Sequence, residues 1–238
     1  MNFYDFHIHS EFSEGESSVE DIAKRAKLLG FKGICIVEYF KNLNRMKNLR
    51  KTILEISKKI GIDIFIGFEA KTLVDLKKLV GMRKEYDVLL VSGHDLNLNR
   101  KAVQTKEVDV LTHPEFNRKD SGLNHVMARL AAKNHVAIEI NFREILQSSK
   151  NTRSHILHNM TENVRLCKKF KAPVMISSGA SSHWQLKDPK ILISMGCLLG
   201  LELNEAKGAL SDIPEGIIKM IKEREGKDWI RPGVKIVE

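Results

Sequence analysis

The sequence is poor in cysteine, proline and aromatic residues, and each shortage excludes a class of protein. Its 3 cysteines, Cys35, Cys167 and Cys197, form no Cys-x-x-Cys pair, so neither a zinc ribbon nor a disulfide framework is expected. Isolated thiols are typical of a reducing compartment, and we expect a cytoplasmic protein. Only 5 prolines occur in 238 residues, which argues against an extended disordered arm. Aromatic residues make up 6% and are not interleaved with cations, so base stacking on single-stranded nucleic acid is not expected.

Long hydrophobic runs are lacking as well. No segment approaches the length needed to cross a membrane, and no basic stretch followed by an apolar one opens the chain, so neither a membrane partner nor a secretion signal is expected. The charge is one-sided, because 39 Lys and Arg stand against 30 Asp and Glu, a net charge of +9. A basic surplus favours a polyanionic partner, most simply nucleic acid, although a general preference for lysine would produce the same surplus.

Short apolar runs alternate with segments of helical periodicity along the whole chain. This alternation is typical of a parallel sheet whose strands are connected by helices. The length suits one large α/β domain, so we assign residues 1–238 to a single domain and 202–238 to a helical C-terminal extension of it. The predicted strands cover residues 4–10, 33–38, 62–69, 88–94, 108–114, 136–142 and 173–179, and the predicted helices cover 17–30, 45–60, 73–80, 99–106, 123–134, 152–170, 189–199 and 214–225.

The first predicted strand carries two histidines, His7 and His9. Apolar Phe6 and Ile8 alternate with them, which is the two-residue period of a strand, so both imidazoles and Asp5 are expected on one face. Two imidazoles at this spacing on a rigid strand can bind one metal ion, with Asp5 orienting them. A buried polar pair without metal is the alternative, and this motif alone does not decide between the two.

Polar residues also end most of the other predicted strands. In an open sheet only two or three of these ends would meet, whereas in a closed barrel they all converge on one mouth, where functional sites are built. The pattern therefore favours an α/β fold in which a TIM-like β/α barrel of about seven strands forms a single domain. The strand-end residues are His7, His9, Glu38, Glu69, His94, His113, Glu115, Glu139, Asn141, Ser177 and Ser178, of which His7, His9, Glu69, His94 and His113 are the candidate metal ligands.

Lysines and arginines follow several of the same strand ends, where a hydrolase would place more acids. Such side chains suit phosphate oxygens, and each phosphate neutralised releases counterions, so the group favours recognition of folded RNA by its shape and phosphates. For any single cation the alternative is a solvated position or a structural ion pair, such as Arg118 with Asp120 or Arg143 with Glu139. The candidate RNA-binding residues are Arg45, Arg50, Arg100, Lys101, Arg118, Lys119, Arg143, Arg153 and Lys187.

Four of the strand-end motifs follow one another in a familiar order. They are Asp5-x-His7-x-His9, Gly67-Phe68-Glu69, Ser92-Gly93-His94 and Thr112-His113-Pro114. In this order they resemble the polymerase-and-histidinol-phosphatase (PHP) superfamily, whose seven-stranded barrels hold up to three metal ions. The resemblance implies that Glu69 is the bridging carboxylate and that it completes one metal site with His94 and His113.

The chain also departs from this superfamily. Glu38-Tyr39 stands where the superfamily has Asp-His, Gly15 stands where a further histidine can follow, and Ser178-Gly179-Ala180-Ser181 stands in place of Ser-Asp-Ala-His. Too few anionic ligands remain for a cluster of two or three divalent ions. A vestigial site, or one ion held by Glu69, His94 and His113, remains open. The corresponding alternative function is a metal-dependent phosphoesterase.

A second set of motifs is more specific. It resembles the family of archaeal ribonuclease P protein component 3 from about Tyr4 to about Leu201, a counterpart of a subunit of eukaryotic RNase P and RNase MRP. The motifs are His113-Pro114-Glu115, Arg118-Lys119-Asp120-Ser121-Gly122, Ala131-Ala132-Lys133-Asn134, Ala137-Ile138-Glu139-Ile140-Asn141-Phe142-Arg143, Ile176-Ser177-Ser178-Gly179-Ala180 and Leu186-Lys187-Asp188-Pro189.

That resemblance implies a role and a set of partners. It implies a protein subunit of ribonuclease P, the ribonucleoprotein that removes the 5′ leader from precursor tRNA, with catalysis in the RNA and no catalytic residue in this chain. The subunit would bind and stabilise the catalytic RNA. Its implied partners are RNase P RNA, precursor tRNA and the other RNase P protein subunits, and it would need no cofactor beyond a possible single divalent ion.

Overall fold

The β-strands form a nearly closed ring. In the computed structural model, which describes residues 1–40, 43–226, 228–232 and 234–235, a 7-stranded parallel sheet runs in chain order. A bridge between Ile8 and Ala180 joins its two edges, and the predicted barrel is therefore confirmed. The strands are β1 (Tyr4–Ile8), β2 (Gly33–Glu38), β3 (Asp63–Ala70), β4 (Val88–Ser92), β5 (Val110–Thr112), β6 (Ala137–Asn141) and β7 (Val174–Ser177).

Helices cover the outside of the ring and connect consecutive strands. They are α1 (Val19–Leu28), α2 (Leu43–Ile60), α3 (Leu73–Gly81), α4 (Leu96–Gln104), α5 (His125–Asn134), α6 (Phe142–Gln147), α7 (Lys150–Phe170), α8 (Pro189–Leu198), α9 (Leu203–Gly208) and α10 (Asp212–Arg224). Side chains of Ser18, Thr72 and Asp95 accept backbone N–H groups in the first turns of α1, α3 and α4, which fixes where these helices begin. Helix α6 lies where the sequence pattern predicts none, and α9 falls within the predicted helical extension.

Two apolar layers hold the barrel together. Phe6, Val37 and Leu90 pack inside the ring, whereas Ile34 and Ile36 pack between the strands and the outer helices. Most strand residues are therefore buried on both faces, and every residue of β2 is buried. This double burial explains why the strand sequences are continuous apolar runs, because a strand with one wet face would alternate instead.

Strand β1 departs from the predicted alternation. Its pairing with β2 shifts register between Asp5 and Ile8, which marks an irregularity of the β-bulge type. Phe6 packs inside the ring and Ile8 outside it, so the two apolar residues do not share one face as predicted. His7 and His9 nevertheless lie side by side, with their Nε2 atoms 3.1 Å apart. The register shift thus separates the apolar residues while the histidines stay together.

Helix α10 closes the amino-terminal end of the ring. Ile217 and Ile221 join the apolar layer inside the barrel, and the backbone N–H of Tyr4 donates to the carbonyl of Leu210 at 2.8 Å. The segment that ends the chain therefore contributes to the core. Residues 202–238, predicted as a helical extension, contain α9, α10 and also two short antiparallel strands, β8 (Trp229–Arg231) and β9 (Val234–Lys235).

Two arginines, one buried and one partly buried, reinforce this closure. Arg83, only 4% exposed, donates to Asp109, and Nη1 of Arg224 on α10 lies 3.5 Å from the other oxygen of the same carboxylate. Asp109 also accepts the backbone N–H of Leu89 at 2.7 Å. Buried charges are costly unless they are paired and hydrogen-bonded, so this network ties α10 to the beginnings of β4 and β5.

The first prediction concerns this closure. Replacing Ile217 by alanine would leave a cavity at the base of the barrel, and we expect Ile217→Ala to lower the free energy of unfolding by about 2–4 kcal/mol. Urea denaturation followed by circular dichroism measures the change. The matched control is Lys222→Ala on the exposed side of the same helix, which should stay within about 0.5 kcal/mol of the wild type. Similar effects of the two changes would show that α10 is not part of the core.

Candidate functional site

Six polar side chains converge at the carboxyl ends of the strands. None of them is more than 6% exposed, although all can form hydrogen bonds or carry charge. Burial of so many polar groups is tolerated only when they satisfy one another, so their mutual contacts define the site. They come from β1, β3, β5 and β6 and meet only when the ring is formed. The mouth cluster consists of His7, His9, Glu69, Thr112, His113 and Glu139.

Glu139 has the central position in the mouth cluster. Its Oε1 lies 2.7 Å from Nδ1 of His7 and also accepts a hydrogen bond from the Ser177 hydroxyl. Its Oε2 accepts the backbone N–H of His113 at 3.2 Å and the side-chain amide of Asn141 at 3.4 Å. Donors therefore surround both oxygens of this buried carboxylate, an environment that favours its ionised form.

The two partners of this contact determine each other's charge. Burial opposes the charged imidazole, but the contact with Glu139 outweighs burial and raises the pKa of His7 to about 9. Burial also opposes the charged carboxylate, yet His7 and the surrounding donors hold the pKa of Glu139 well below its usual value. His7 and Glu139 therefore form a buried ion pair at neutral pH.

His9 extends this pair into a chain of hydrogen bonds. Its Nε2 lies 3.1 Å from Nε2 of His7, and its Nδ1 lies 3.2 Å from the carbonyl oxygen of Val37. A charged His7 has a proton on each nitrogen, so it donates to His9, which as a neutral ring donates through Nδ1 to Val37. Burial, and then the charge of His7, lower the pKa of His9 far below its usual range, which agrees with this proton arrangement. Every nitrogen of the two rings is thus engaged.

Glu69 and His113 occupy the other side of the cluster. The Thr112 hydroxyl donates to Glu69 at 2.7 Å, and Nε2 of His113 lies 3.9 Å from Glu69 and 3.3 Å from the Ser92 hydroxyl. Burial lowers the pKa of His113, so this ring is neutral. Its backbone has a φ of +28°, unusual for a residue with a side chain, and the hydrogen bond from its N–H to Glu139 helps to hold that conformation.

A close backbone approach shapes the motif after β7. Gly179 has a φ of +62°, and a Cβ at this position would lie 2.1 Å from Oδ1 of Asn141. The carboxylate of Asp5 accepts the backbone N–H of neighbouring Ser178 at 3.2 Å. An aspartate at position 179, which the PHP resemblance implies for a metal-binding barrel, would not fit unless Asn141 moved. The missing ligand is therefore accompanied by a changed local structure.

His94 does not join the mouth cluster. Its side chain is exposed on the turn after β4, where the backbone N–H of Gly93 donates to the Thr112 carbonyl at 2.9 Å and the chain leaves the mouth. The expected ligand group of Glu69, His94 and His113 is therefore not assembled. Glu139 takes the central place instead. In the sequence, Glu139 is recognisable only as a carboxylate within the mostly apolar run of β6. That position does not predict which residues it contacts.

The donor set can be compared with what a metal ion requires. Two groups of three side chains place possible ligand atoms close together, and both groups include His7. In either group, His7 would have to release a proton that now bonds to His9 or Glu139. A divalent ion would therefore have to compete with the hydrogen bonds of His7. The two groups are His7, His9 and Glu69, and His7, His113 and Glu139.

The predicted RNA-binding residues on the loops around the mouth differ in their freedom to bind a phosphate. Lys119 is exposed and Lys187 half-buried, and neither forms an ion pair within the described part of the chain. Arg118 is bound by both oxygens of Asp120, at 2.7 and 2.9 Å. Arg153 is exposed but donates to two backbone carbonyls near the start of α7. Loops around the mouth thus present two free lysines and two arginines with internal partners.

Arg143 points into the mouth rather than away from it. Its side chain is 16% exposed, and its Nη2 lies 3.6 Å from Oε1 of Glu14, on the loop after β1. The same carboxylate oxygen lies 3.6 Å from Nε2 of His9. Its other oxygen accepts a hydrogen bond from the Tyr39 hydroxyl at 2.9 Å. This arginine is therefore placed among the mouth residues.

The remaining predicted cations belong to helices α2 and α4. Arg50 pairs with Asp87, just before β4, with 3.2 Å between Nη2 and Oδ1, so it belongs to the opposite end of the barrel. Arg100 and Lys101 are exposed on α4, within the helix that the sequence predicts there. Arg45 is on α2, but its side chain lies outside the described residues. The structure thus divides the predicted RNA-binding set into a group around the mouth and scattered outer positions.

Fold and site together define a class of protein. It is a β/α barrel whose strand ends retain part of a metal-ligand set, whose mouth is filled by its own hydrogen bonds, and whose rim carries lysines. The RNase P subunit p30 family matches residues 2–226, and the chain belongs to this family. The predicted ribonuclease P subunit is thereby confirmed.

Known proteins agree with this assignment. Ribonuclease P protein component 3 of Methanosarcina mazei is 35% identical over 99% of this chain and 96% of its own length, and that of Methanothermobacter thermautotrophicus is 32% identical over 92% and 89%. A chain of the cryo-EM structure of archaeal ribonuclease P with mature tRNA superposes with a TM-score of 0.83 at 29% identity, covering 98% of both chains. A Xaa-Pro dipeptidase with bound methionine, at 11% identity, covers 93% and 76% with a TM-score of 0.61 and shares the fold alone. Among the described helices, none is long and apolar enough to cross a membrane.

The second prediction is a pH dependence of stability. The folded-state pKa of His7, about 9, lies above the ordinary histidine value of 6.5. A histidine whose pKa is higher in the folded state than in the unfolded state stabilises the fold when it is protonated. This stabilisation is complete below about pH 6.5, and it is lost as the pH rises through about 9. We therefore expect the free energy of unfolding to fall by a few kcal/mol, as an order of magnitude, between roughly pH 7 and pH 10.

The variant Glu139→Gln isolates this effect from other groups that titrate in the same range. It keeps the shape of the side chain but removes the charge that raises the pKa of His7. The variant should be less stable than the wild type at neutral pH, and its stability should change less on going to alkaline pH. Parallel pH profiles of the two proteins would contradict the buried ion pair.

Proposed function

We propose that the chain is an RNA-binding subunit of ribonuclease P without a catalytic site of its own, and that it binds and stabilises the catalytic RNA. The enzyme removes the 5′ leader from precursor tRNA, and the chemistry belongs to its RNA. The observation that carries this proposal is the mouth cluster, where an enzyme of this fold would have its active site. His7, His9 and Glu139 satisfy one another there. Membership of the RNase P subunit p30 family supports the rest.

The proposed partners are RNase P RNA, precursor tRNA and the other RNase P protein subunits. Support comes from the cryo-EM structure of archaeal ribonuclease P with mature tRNA, one chain of which matches this chain over 98% of its length. We also propose that the protein acts in the cytoplasm. All 3 cysteines are free thiols, and Cys35 and Cys167 are buried, as expected for a reducing compartment.

The proposed RNA surface is the rim of the mouth. Lys119 and Lys187, which form no ion pair among the described residues, would contact phosphates directly. Arg118 and Arg153 add positive potential, but their guanidinium groups already form hydrogen bonds within the protein. A lysine is a point charge without a planar fork, so such a rim would recognise the backbone and shape of folded RNA rather than particular bases.

A metal-dependent phosphoesterase is the weaker candidate. One observation favours it, the convergence of His7, His9 and Glu69 on a common point. Against it, His94 is turned outwards and Gly179 leaves no room for a further carboxylate. We therefore propose that the working subunit needs no cofactor and that any single divalent ion would bind only weakly.

The third prediction tests the function itself. Added to RNase P RNA together with the partner subunits, the protein should lower the magnesium concentration needed to cleave precursor tRNA, because its cations replace part of the ionic screening. Cleavage is measured over a magnesium titration with and without this subunit. An unchanged magnesium requirement would contradict a role in stabilising the RNA. Cleavage by the isolated protein would instead favour the phosphoesterase.

The fourth prediction concerns the rim. Lys119→Ala and Lys187→Ala should each weaken RNA binding by about 1 kcal/mol and reduce the slope of log affinity against log salt concentration by about one unit, because each removes one phosphate contact. Affinities for RNase P RNA at several salt concentrations give both values.

Two further variants serve as controls for these lysines. Lys24→Ala removes an exposed lysine that pairs with Glu20 on α1, and it should leave both affinity and slope unchanged. Arg118→Ala removes a residue held by Asp120. It should lower the melting temperature and leave the slope of log affinity against log salt concentration nearly unchanged. If both rim lysine variants bind RNA like Lys24→Ala at every salt concentration, the rim is not the RNA surface.

A further inference from the structure

A carboxylate from the loop after β1 occupies the entrance of the mouth. Glu14 is 41% exposed, and one of its oxygens accepts a hydrogen bond from the Tyr39 hydroxyl at 2.9 Å. The same oxygen lies 3.8 Å from Nζ of Lys71, and the other oxygen lies 3.6 Å from Nη2 of Arg143. The segments that follow β2, β3 and β6 thus each direct one donor group at a single anionic side chain.

The three donor groups are held by contacts that do not involve this carboxylate. Nζ of Lys71 lies 3.7 Å from the centre of the Tyr39 ring, which is a cation–π contact. The backbone N–H of Arg143 donates to Oδ1 of Asn141 and to the carbonyl of Ser178, each at 3.0 Å. Donors that are already fixed in this way are preorganised for an anion, because binding then has to order little of the protein.

Glu14 satisfies these donors only in part. Charge-assisted N–H···O hydrogen bonds are about 2.7–2.9 Å long, so both of its ion pairs, at 3.6 and 3.8 Å, are loose. Nε of Arg143 is buried and has no hydrogen-bond partner among the described residues. Ion pairs that are partly exposed to water stabilise a protein little, so this carboxylate can leave the entrance with little loss of stability. Two cations would then face the opening.

We propose that Tyr39, Lys71 and Arg143 form a binding site for one backbone phosphate of RNA, and that Glu14 occupies this site in the free protein. A phosphodiester has the same single negative charge as the carboxylate, so the exchange keeps the charge balance. Its oxygens suit the planar fork of an arginine, which can form two parallel hydrogen bonds to them. The inference rests on the proposed RNA-binding function and adds a built phosphate site to the lysines of the rim.

An RNA backbone fits this entrance better than an acidic protein segment. Lys119 and Lys187, on other loops around the same mouth, form no ion pair among the described residues. Several cations spaced around one opening match the regularly spaced charges of a phosphate backbone. A carboxylate of a partner subunit would use the same donors, so binding of that kind is one outcome of the test.

The test compares two variants that change the net charge equally. Glu14→Ala removes the occupant of the site, and Glu16→Ala removes an exposed acid of the same loop that forms no ion pair among the described residues. Affinity for RNase P RNA is measured at several salt concentrations. Inorganic phosphate is the second probe, and its readout is the difference in melting temperature between phosphate and chloride buffers of equal ionic strength. Binding of each purified partner subunit is measured in parallel.

Glu14→Ala should bind RNA about 3- to 5-fold more tightly than Glu16→Ala, because it removes a competing ion pair of modest strength. Its melting temperature should also rise more in phosphate. Adding Arg143→Gln to Glu14→Ala should abolish both gains, whereas adding Arg143→Lys should retain part of them, since the charge remains and the fork is lost. If the Arg143 variants unfold, Lys71→Ala replaces them, because this side chain is 49% exposed, and it should reduce both gains.

Three results would overturn the proposal. The first is equal RNA affinity of Glu14→Ala and Glu16→Ala, which leaves the proposed function intact as long as both proteins bind RNA. The second is a gain that survives the added change at Arg143 or Lys71. The third is a gain seen only with inorganic phosphate or only with a partner subunit, which would make the entrance a site for a free anion or for a protein carboxylate. If even the wild type does not bind RNA, the proposed function fails and this site fails with it.

Discussion

The buried contact between His7 and Glu139 is the interaction on which the mouth depends. It joins β1 to β6 across the carboxyl ends of the barrel, and both side chains are almost fully inaccessible to solvent. Two such charges are stable inside a protein only if further donors and acceptors surround them. Ser177 and the backbone N–H of His113 serve Glu139, and His9 accepts from His7. The other mouth residues are therefore arranged around this pair.

A consequence is that the mouth of this barrel is neutralised from within. In a metal-binding barrel, the same carboxylates and imidazoles would point at ions, and the ions would hold the strand ends together. Here hydrogen bonds between the side chains do that work, and Gly179 lets the loop after β7 pack against Asn141. The mouth residues thus satisfy one another in this structure.

The sequence predicts the framework of this protein better than its details. Buried parallel strands are continuous apolar runs, so β2 and β4 are evident from their residues alone. The position of His94 is not evident, because one turn after Gly93 decides whether a strand-end histidine faces the mouth or the solvent. The role of Glu139 depends on donors from three other segments of the chain. The closure of the barrel base by Ile217 depends on packing over more than half the sequence. Such features follow from tertiary contacts, which local patterns do not contain.

The cations fall into two groups that the net charge does not distinguish. Some are bound to carboxylates within the protein, and others are not. Arg50, Arg83 and Arg118 are bound to carboxylates, and their planar forks are used to hold loops and strand beginnings in place. Lys119 and Lys187 have no carboxylate partner within the part of the chain that the structure describes. Arginine suits fixed, bidentate pairing, whereas lysine remains hydrated and mobile. A rim of free lysines attracts phosphates over a Debye length without selecting a base sequence.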